Sequence, residues 1–386
     1  MQNTTHKAVV LMNLSAFFSG MVFYAPVATL YRQSRGISVW QMSLIEALSL
    51  ALMMALEIPW GYVADRIGYR RTLVFSFLVL FISKIVFFAA HGFSLFLMER
   101  ILLAIAFSAL SGVDIAYLHR CNAGQKEFGY YQGSSFLGLL VVALIFPLFS
   151  EIFVQSAFLT IVSHLIALLF ILALPREPVV QNILSSHYTG VVETLGRLAR
   201  DRLLLLYVSG NTLLFGVNQV VTVFLVQLCY TKVGLPLSAF GLPFLLLVIT
   251  SSTVSYLSSP LTSYFGRRAL TLFSFVLSLS GLALLWSMQG VVVVVLGAVL
   301  VRLGATLVQP VYLAVTAKAC EGPDLATSLS MNSLIGSLME LFLTLGLGFL
   351  AERNLSLALG VASIALALGL GLLFCSRSLL STPNLV

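Results

Sequence analysis

Arg302 stands alone as a charge in the apolar stretch from Val291 to Thr316, and Glu340 is the single charge in the next such stretch, 326 to 350. An ionisable group held inside a hydrocarbon layer costs about 2.5 to 3.5 kcal/mol on insertion scales, which makes each a candidate for function. A guanidinium and a carboxylate at matched depth neutralise one another. Protonating the carboxylate, or bringing in an anion, releases the guanidinium. That is the chemistry of proton transfer and anion recognition, not of bond cleavage. The alternative is a permanent ion pair, whose rupture is destabilising whatever its role. A second group, Glu46, Lys84, Glu99 and Arg100, spreads over three apolar stretches at similar depth, where two acids and two bases can offset each other. For Lys84 a structural salt bridge or a snorkelling side chain is the reading preferred. His164 fits a hydrogen-bonded packing residue, and Glu57, just before Pro59, fits a charge network at one face of the layer.

These residues need elements to position them, and composition says which. The 386 residues are 59% hydrophobic and 9% charged, with a mean hydropathy of +1.03. A soluble domain carries about 25% charged residues. The chain is therefore an integral membrane protein, all-α, with no soluble portion large enough for a separate catalytic domain. A helix needs about 20 apolar residues to cross the hydrocarbon core, and cutting at clusters of charge, Gly and Pro gives twelve spans: 8–31, 38–62, 71–91, 93–118, 128–149, 155–174, 203–229, 238–262, 268–288, 291–317, 326–350 and 355–375. The one long polar stretch, Pro175 to Arg202, contains an amphipathic segment around Val191 to Arg200 and divides an N-terminal half, 1–174, from a C-terminal half, 203–386. Four scattered cysteines (Cys121, Cys229, Cys320, Cys375) without a CxxC support neither a disulfide framework nor a zinc site, so no metal or cofactor is expected. The first apolar run has the length of a span and lacks a small-residue cleavage site, so a cleavable signal peptide is not expected.

Lys and Arg favour the cytoplasmic side of short membrane loops. Fourteen fall on one side (Lys7; Arg66, Arg70, Arg71; Arg120, Lys126; Arg176, Arg197, Arg200, Arg202; Arg267, Arg268; Lys318; Arg377) and four on the other (Arg32, Arg35, Lys232, Arg353). Both termini and the central stretch are expected in the cytoplasm. The net charge of +7 follows from this topology and calls for no nucleic-acid partner.

The chain also repeats itself. Gly68-Tyr-Arg-Arg-Thr-Leu-Val-Phe-Ser-Phe after the second span resembles Gly266-Arg-Arg-Ala-Leu-Thr-Leu-Phe-Ser-Phe after the eighth, at an offset of 198 that also places Asn13 on Asn211 and Phe17 on Phe215. Six spans superimpose on six, an arrangement of parallel halves found in transporters that bind substrate near the midplane. Gly61-Tyr-Val-Ala-Asp65-Arg66-Ile-Gly68-Tyr-Arg70-Arg71-Thr-Leu73 resembles the GxLADRxGRKxxL loop motif of the major facilitator superfamily, with Tyr69 where the family often has a base. Its second copy keeps Gly266, Arg267 and Arg268 but has Ser263 at the Asp position. The resemblance implies twelve helices in two halves. It also implies a cytoplasmic latch, with Asp65 capping the eleventh helix and the loop arginines pairing with an acid at the end of the fourth, where Asp114 stands. The alternative is that Arg66, Arg70 and Arg71 only anchor the cytoplasmic face.

The same resemblance makes spans one, four, seven and ten the lining of a central cavity, and these carry polar stripes at helical spacing. Asn13, Phe17, Gly20 and Tyr24 align in the first, and Arg100, Ala104, Phe107, Ser111 and Asp114 in the fourth. Asn211, Phe215, Asn218 and Thr222, with Gln219 beside them, align in the seventh; Arg302, Thr306, Gln309 and Thr316, with Tyr312 nearby, align in the tenth. Each amide or hydroxyl here also serves as an ordinary interhelical hydrogen-bond partner, worth about 0.6 kcal/mol. Arg100 followed by Ala104, Ser108 and Gly112 is similar to the family's fourth-helix motif in which the Arg has been linked to proton transfer, with Ala104 in place of a Gly. The fifth span lacks the Gly-Pro motif of drug antiporters, whereas Glu57-Ile-Pro-Trp-Gly61 resembles bacterial exporters. Together these imply a bacterial inner-membrane secondary transporter, monomeric, exporting a small amphipathic neutral or anionic molecule against protons. Import of a small nutrient or anion is the second reading and a transport-inactive sensor the third. An enzyme is disfavoured, since no phosphate loop, HExxH or GxSxG is present.

Overall fold

The structure is a computed structural model that describes residues 2–121, 125–149, 152–175, 201–319 and 325–376. Among these residues the regular secondary structure is helical throughout, with no strand. The helices are α1 (Gln2–Gly20), α2 (Ala28–Ser34), α3 (Val39–Ile67), α4 (Tyr69–Ala89), α5 (Gly92–Leu110), α6 (Val113–Arg120), α7 (Gln125–Ile145) and α8 (Ile152–Leu172). After the central stretch come α9 (Arg202–Val220), α10 (Val226–Lys232), α11 (Gly241–Phe265), α12 (Arg267–Ser287), α13 (Val291–Ala319), α14 (Leu325–Arg353) and α15 (Leu355–Cys375). The amphipathic segment expected at Val191 to Arg200 lies outside the described residues.

Helices dominate because a hydrocarbon layer offers no partner for free backbone N–H and C=O groups, so each span must satisfy them internally. Among the described residues ten helical stretches are long and apolar enough to cross a membrane; Gly133–Leu148 is a shorter apolar helix, and α14 carries the expected eleventh span. Their ends are marked by local chemistry. Ser38 and Gln41 exchange side-chain to backbone hydrogen bonds at the start of α3, and Asp201 and Asn354 accept from the first backbone amides of α9 and α15. Large apolar side chains such as Leu144, Phe158, Leu169, Trp286, Ile364 and Leu368 remain exposed, as a lipid-facing surface requires. Two expected spans break outright. The first breaks after Gly20 and resumes through the turn Ala25–Val27 into α2, and the fourth breaks at Gly112, where φ is +74°, between α5 and α6.

The internal repeat is written in the turns. Gly36 and Gly234, Gly68 and Gly266, and Gly92 and Gly290 all take positive φ, and each pair is 198 residues apart. The hydrogen bonds repeat too: Gly68 N–H donates to the Ala64 carbonyl at 3.0 Å and Gly266 N–H to that of Thr262 at 2.9 Å, while the Ile37 and Leu235 amides return to Arg32 and Tyr230 at 3.2 and 3.0 Å. The same register relates the two interrupted helices. A π-helical turn, Val221–Leu225, separates α9 from α10 at the positions equivalent to 23–27, where the first span is broken.

The chain divides into two compact units, one formed by Met1–Asn182 with Pro236–Val248, the other by Ile183–Leu235 with Ile249–Val386. In the first, α1 packs on α7 and α8, and α4 on α5 and α8, around Met12, Leu73, Phe77, Tyr117, Leu118 and Ile171. Contact is close where residues are small. A Cβ on Gly20 would strike the Ser135 carbonyl, and one on Gly138 would strike that of Phe17. In the second unit, Gly281 and Gly297 bring α12 against α13, a Cβ on either lying 2.6 to 2.8 Å from the other's carbonyl oxygen, and Gly210 and Gly369 do the same for α9 and α15.

Candidate functional site

The site in the first unit is built on the break in the first span. Two backbone groups released there are taken up by α8: the Phe23 amide donates to Thr160 Oγ1 at 3.0 Å, and Ser163 Oγ donates to the Met21 carbonyl at 3.0 Å. His164 Nδ1 lies 2.8 Å from the Thr160 carbonyl, the bonded packing role expected for it. The break turns Tyr24 inward, where its ring stacks on Phe87 at 3.9 Å between centroids; Phe87 in turn stacks on Tyr31 at 4.7 Å and meets Phe96 edge-on at 5.5 Å. Lys84 of α4, 4% exposed, donates to the Tyr24 hydroxyl at 3.1 Å.

Beside this stack lies a charge cluster. Arg100 meets Glu46 at 3.0 Å and Glu99 at 3.7 Å, and Glu99, fully buried, meets Arg32 at 3.9 Å. The expected grouping of Glu46, Glu99 and Arg100 therefore forms, but Lys84 is in no ion pair among the described residues and is buried, which corrects both the salt bridge and the snorkelling side chain preferred for it. The acids are taken by guanidiniums. Arg32, which loop counting assigned to an outer loop, supplies one of them: it is 5% exposed on α2, over the Phe87 ring. Thr29 and Arg32, one helical turn apart and both buried, carried a readable signal for an inward face, hidden because Arg32 stands at the end of an apolar run.

In the second unit Arg302 donates from Nε to Ser251 Oγ at 2.7 Å and has no carboxylate in ion-pair contact among the described residues. Glu340 sits instead where α14 packs on α9, its Cα 3.7 Å from a Cβ built on Gly216. The expected Arg302–Glu340 pair is not formed: matched depth along two spans does not fix the face on which each side chain emerges. Phe215 meets Tyr312 edge-on at 5.3 Å, and Tyr312 stacks on Tyr207 at 6.0 Å, next to Asn211, whose Nδ2 donates to the Tyr207 carbonyl at 2.9 Å. The hydroxyls of Thr306, Thr316 and Thr222 return to carbonyls of their own helical stretches, at Arg302, Tyr312 and Asn218. Gln309 is exposed and Gln219 half-buried. Asn13, Asn211 and Asn218 share one property: each has a buried Oδ1 that accepts no hydrogen bond among the described residues. In the first unit Phe17 meets Phe18 edge-on at 5.3 Å, Phe107 is 45% exposed, and Ser111 donates to Glu57 at 3.5 Å.

The loop motif takes its form from Gly68, whose φ of +95° turns α3 into α4. Arg70 donates to the carbonyls of Leu174 and Leu172 at 2.7 and 2.8 Å, closing the C-terminus of α8, where free carbonyls and the helix dipole favour a cation. Arg66 lies over the Tyr62 ring, Arg120 over Tyr69, and Arg71 and Gly61 are exposed. Asp114 accepts from the Ile115 amide at 2.8 Å and lies beside the Tyr131 hydroxyl. It is in no ion pair with the loop arginines, a correction to the pairing expected, because α8's carbonyls hold Arg70. The side chain of Asp65 lies outside the described residues.

Residues 9–261 match the sequence model of the Major Facilitator Superfamily. The chain belongs to the major facilitator superfamily. Solved structures of the superfamily share its fold: a point mutant of the nucleoside transporter NupG (TM-score 0.81, 14% identity, 96% of this chain and 99% of that one), a D-xylose-proton symporter (0.72, 15%, 96% and 97%), and a point mutant of the peptide transporter POT (0.73, 17%, 97% and 94%). No curated protein matches the chain by sequence. As a superfamily member it is a multi-pass membrane protein with a transporter fold. Within that fold its two repeats differ in charge. At the positions 198 residues on from Arg32, Glu46, Lys84, Glu99 and Arg100 stand Tyr230, Phe244, Leu282, Gly297 and Ala298.

Proposed function

We propose that this superfamily member is a proton-coupled secondary transporter of a small organic molecule, neutral or anionic, working by alternating access between two six-helix halves, 1–174 and 203–386. The observation that carries the proposal is the asymmetric charge cluster. If those five ionisable side chains served only to hold a six-helix unit together, the second repeat, with the same turns at the same offset, would need them too; it has apolar residues, a glycine and a tyrosine instead. Charges kept at high cost at positions that the other repeat fills without charge suit proton coupling. The broken first span and the π-turn in the seventh support a binding region at that level, since interrupted helices in corresponding positions of two repeats mark substrate sites in transporters. Within the second unit, the acceptor oxygens of Asn211 and Asn218 suit a substrate that brings hydroxyl or amine hydrogens.

The direction we favour is inward. A solved structure of the same fold is titled a D-xylose-proton symporter, and the fifth span has no antiporter Gly-Pro motif. Export is the second reading, favoured by the Glu57-Ile-Pro-Trp-Gly61 stretch. Gly61, Asp65, Arg66, Gly68, Arg70 and Arg71 form the cytoplasmic latch in this proposal, with Arg70 tying the loop to α8. Both termini and residues 175–202 lie in the cytoplasm of a bacterial cell, and the protein works as a monomer in the bilayer. The test is proteoliposomes loaded with a pH-sensitive dye and challenged with a nucleoside, a pentose, a dipeptide and a hydroxy acid. Substrate-dependent proton entry alongside uptake is expected. Protons moving opposite to substrate would establish export, and uptake without proton movement would refute the coupling.

A further inference from the structure

Resting on the transport reading above, we infer that Lys84 and Tyr24 form a carboxylate-binding pair, and that the substrate is a small organic monoanion. The cluster holds three bases, Arg32, Lys84 and Arg100, and two acids, Glu46 and Glu99; Arg32, Lys84 and Glu99 are buried, and Glu46 and Arg100 half-buried. Both acids lie within 3.0 to 3.9 Å of a guanidinium, so the arginines and the carboxylates account for one another. Lys84 is the base left over. It is 4% exposed, and among the described residues its hydrogen-bond partner is the Tyr24 hydroxyl alone.

The donors at this spot outnumber the acceptors. An ammonium has three hydrogens, and Lys84 places one on Tyr24 Oη at 3.1 Å. The hydroxyl that accepts it keeps its own hydrogen, for which the described residues supply no acceptor. Two unspent donor groups thus stand side by side, a spacing that suits the two oxygens of one carboxylate, with the stronger bond to the charged donor. The other groups facing the spot offer no anion to take that place. Tyr31 of α2 belongs to the aromatic stack; Arg32 of α2, Glu46 of α3, and Glu99 and Arg100 of α5 are paired among themselves; His164 of α8 has its Nδ1 on the Thr160 carbonyl. One spare cation selects a single negative charge, so a carboxylate fits and a doubly charged phosphate monoester does not.

A carboxylate at Lys84 neutralises the cluster's unmatched positive charge.

The test is equilibrium binding to the full-length protein in detergent, with lactate, acetate and benzoate set against lactamide, acetamide and benzamide at equal ionic strength. A carboxylate is expected to raise the unfolding temperature saturably, while its amide does not. Lys84→Met removes the effect. Tyr24→Phe keeps the ring on Phe87 and weakens binding by about tenfold, the loss of one hydrogen bond to a charged group. Amides as effective as carboxylates, no carboxylate effect at all, or unchanged binding in Lys84→Met and Tyr24→Phe would each overturn the inference. Carboxylate binding without any transport in proteoliposomes would overturn the transport reading instead. Proton-coupled movement of neutral substrates alone would leave that reading and remove this one.

Discussion

Replacing Glu99 with Gln changes one atom and should separate the two arms of the charge cluster. Glu99 is fully buried, and its Oε2 lies 3.9 Å from Arg32 and 3.7 Å from Arg100. Neither carboxylate oxygen accepts a hydrogen bond, so the attraction is Coulombic, on the order of 4 kcal/mol per contact at an effective dielectric near 20 before desolvation is counted. The amide leaves Arg32, 6% exposed, without its counter-charge. Deleting one partner of a buried pair costs about 3 to 5 kcal/mol. At about 2 to 4 °C per kcal/mol for a unit of this size, the unfolding temperature should fall by about 6 to 20 °C. Glu46→Gln is the contrast: Glu46 is 19% exposed and Arg100 keeps Glu99, so the expected cost is about 1 kcal/mol or less. Joining Arg32→Met to Glu99→Gln should restore most of the loss, because the uncompensated charge is removed with its partner. Cys121, buried in the same unit, reports unfolding to a thiol-reactive dye once Cys229, Cys320 and Cys375 are replaced by Ser. Equal stability of Glu99→Gln and Glu46→Gln, with no recovery in the double variant, would refute the reasoning.

Two further outcomes follow from the packing. Gly138→Ala drives a methyl into the Phe17 carbonyl, a backbone atom that cannot swing aside, and should cost about 1 to 3 kcal/mol or more, whereas Gly133→Ala, with open space around it, should be neutral in the same thermal assay. Arg70→Met removes two charge-assisted hydrogen bonds from the end of α8; a loss of about 1.5 to 3 kcal/mol is expected, with Arg71→Met, at an exposed position, as the near-silent control.

The spans, the repeat and the loop motif were legible in the sequence because each depends on one-dimensional information: apolar length, a constant offset, and the glycine that the turn at Gly68 demands. The Glu46–Arg100 contact was within reach for the same reason, since depth along a span can be counted. What failed was azimuth. Arg302 and Glu340 match in depth, yet one turns to Ser251 and the other lies where α14 meets α9. Lys84 turned to Tyr24 because a break after Gly20 rotated the remainder of the first span, and no periodicity crosses a break. Asp114 and Arg70 illustrate a further limit: complementary charges at the same membrane face lost to helix-end carbonyls, which carry no mark in the sequence.

The central claim is that the first unit's buried charges, and not Arg302, link protons to substrate. Proteoliposomes holding a pH-sensitive dye test it most directly, with wild type, Glu46→Gln, Lys84→Met and Arg302→Met compared for proton entry per substrate and for substrate exchange without a gradient. Wild type and Arg302→Met should take up protons in the same ratio to substrate, with weaker apparent affinity in Arg302→Met, while Glu46→Gln and Lys84→Met lose proton-driven accumulation. Proton ratios unchanged in Glu46→Gln and Lys84→Met, or abolished only in Arg302→Met, would contradict the account.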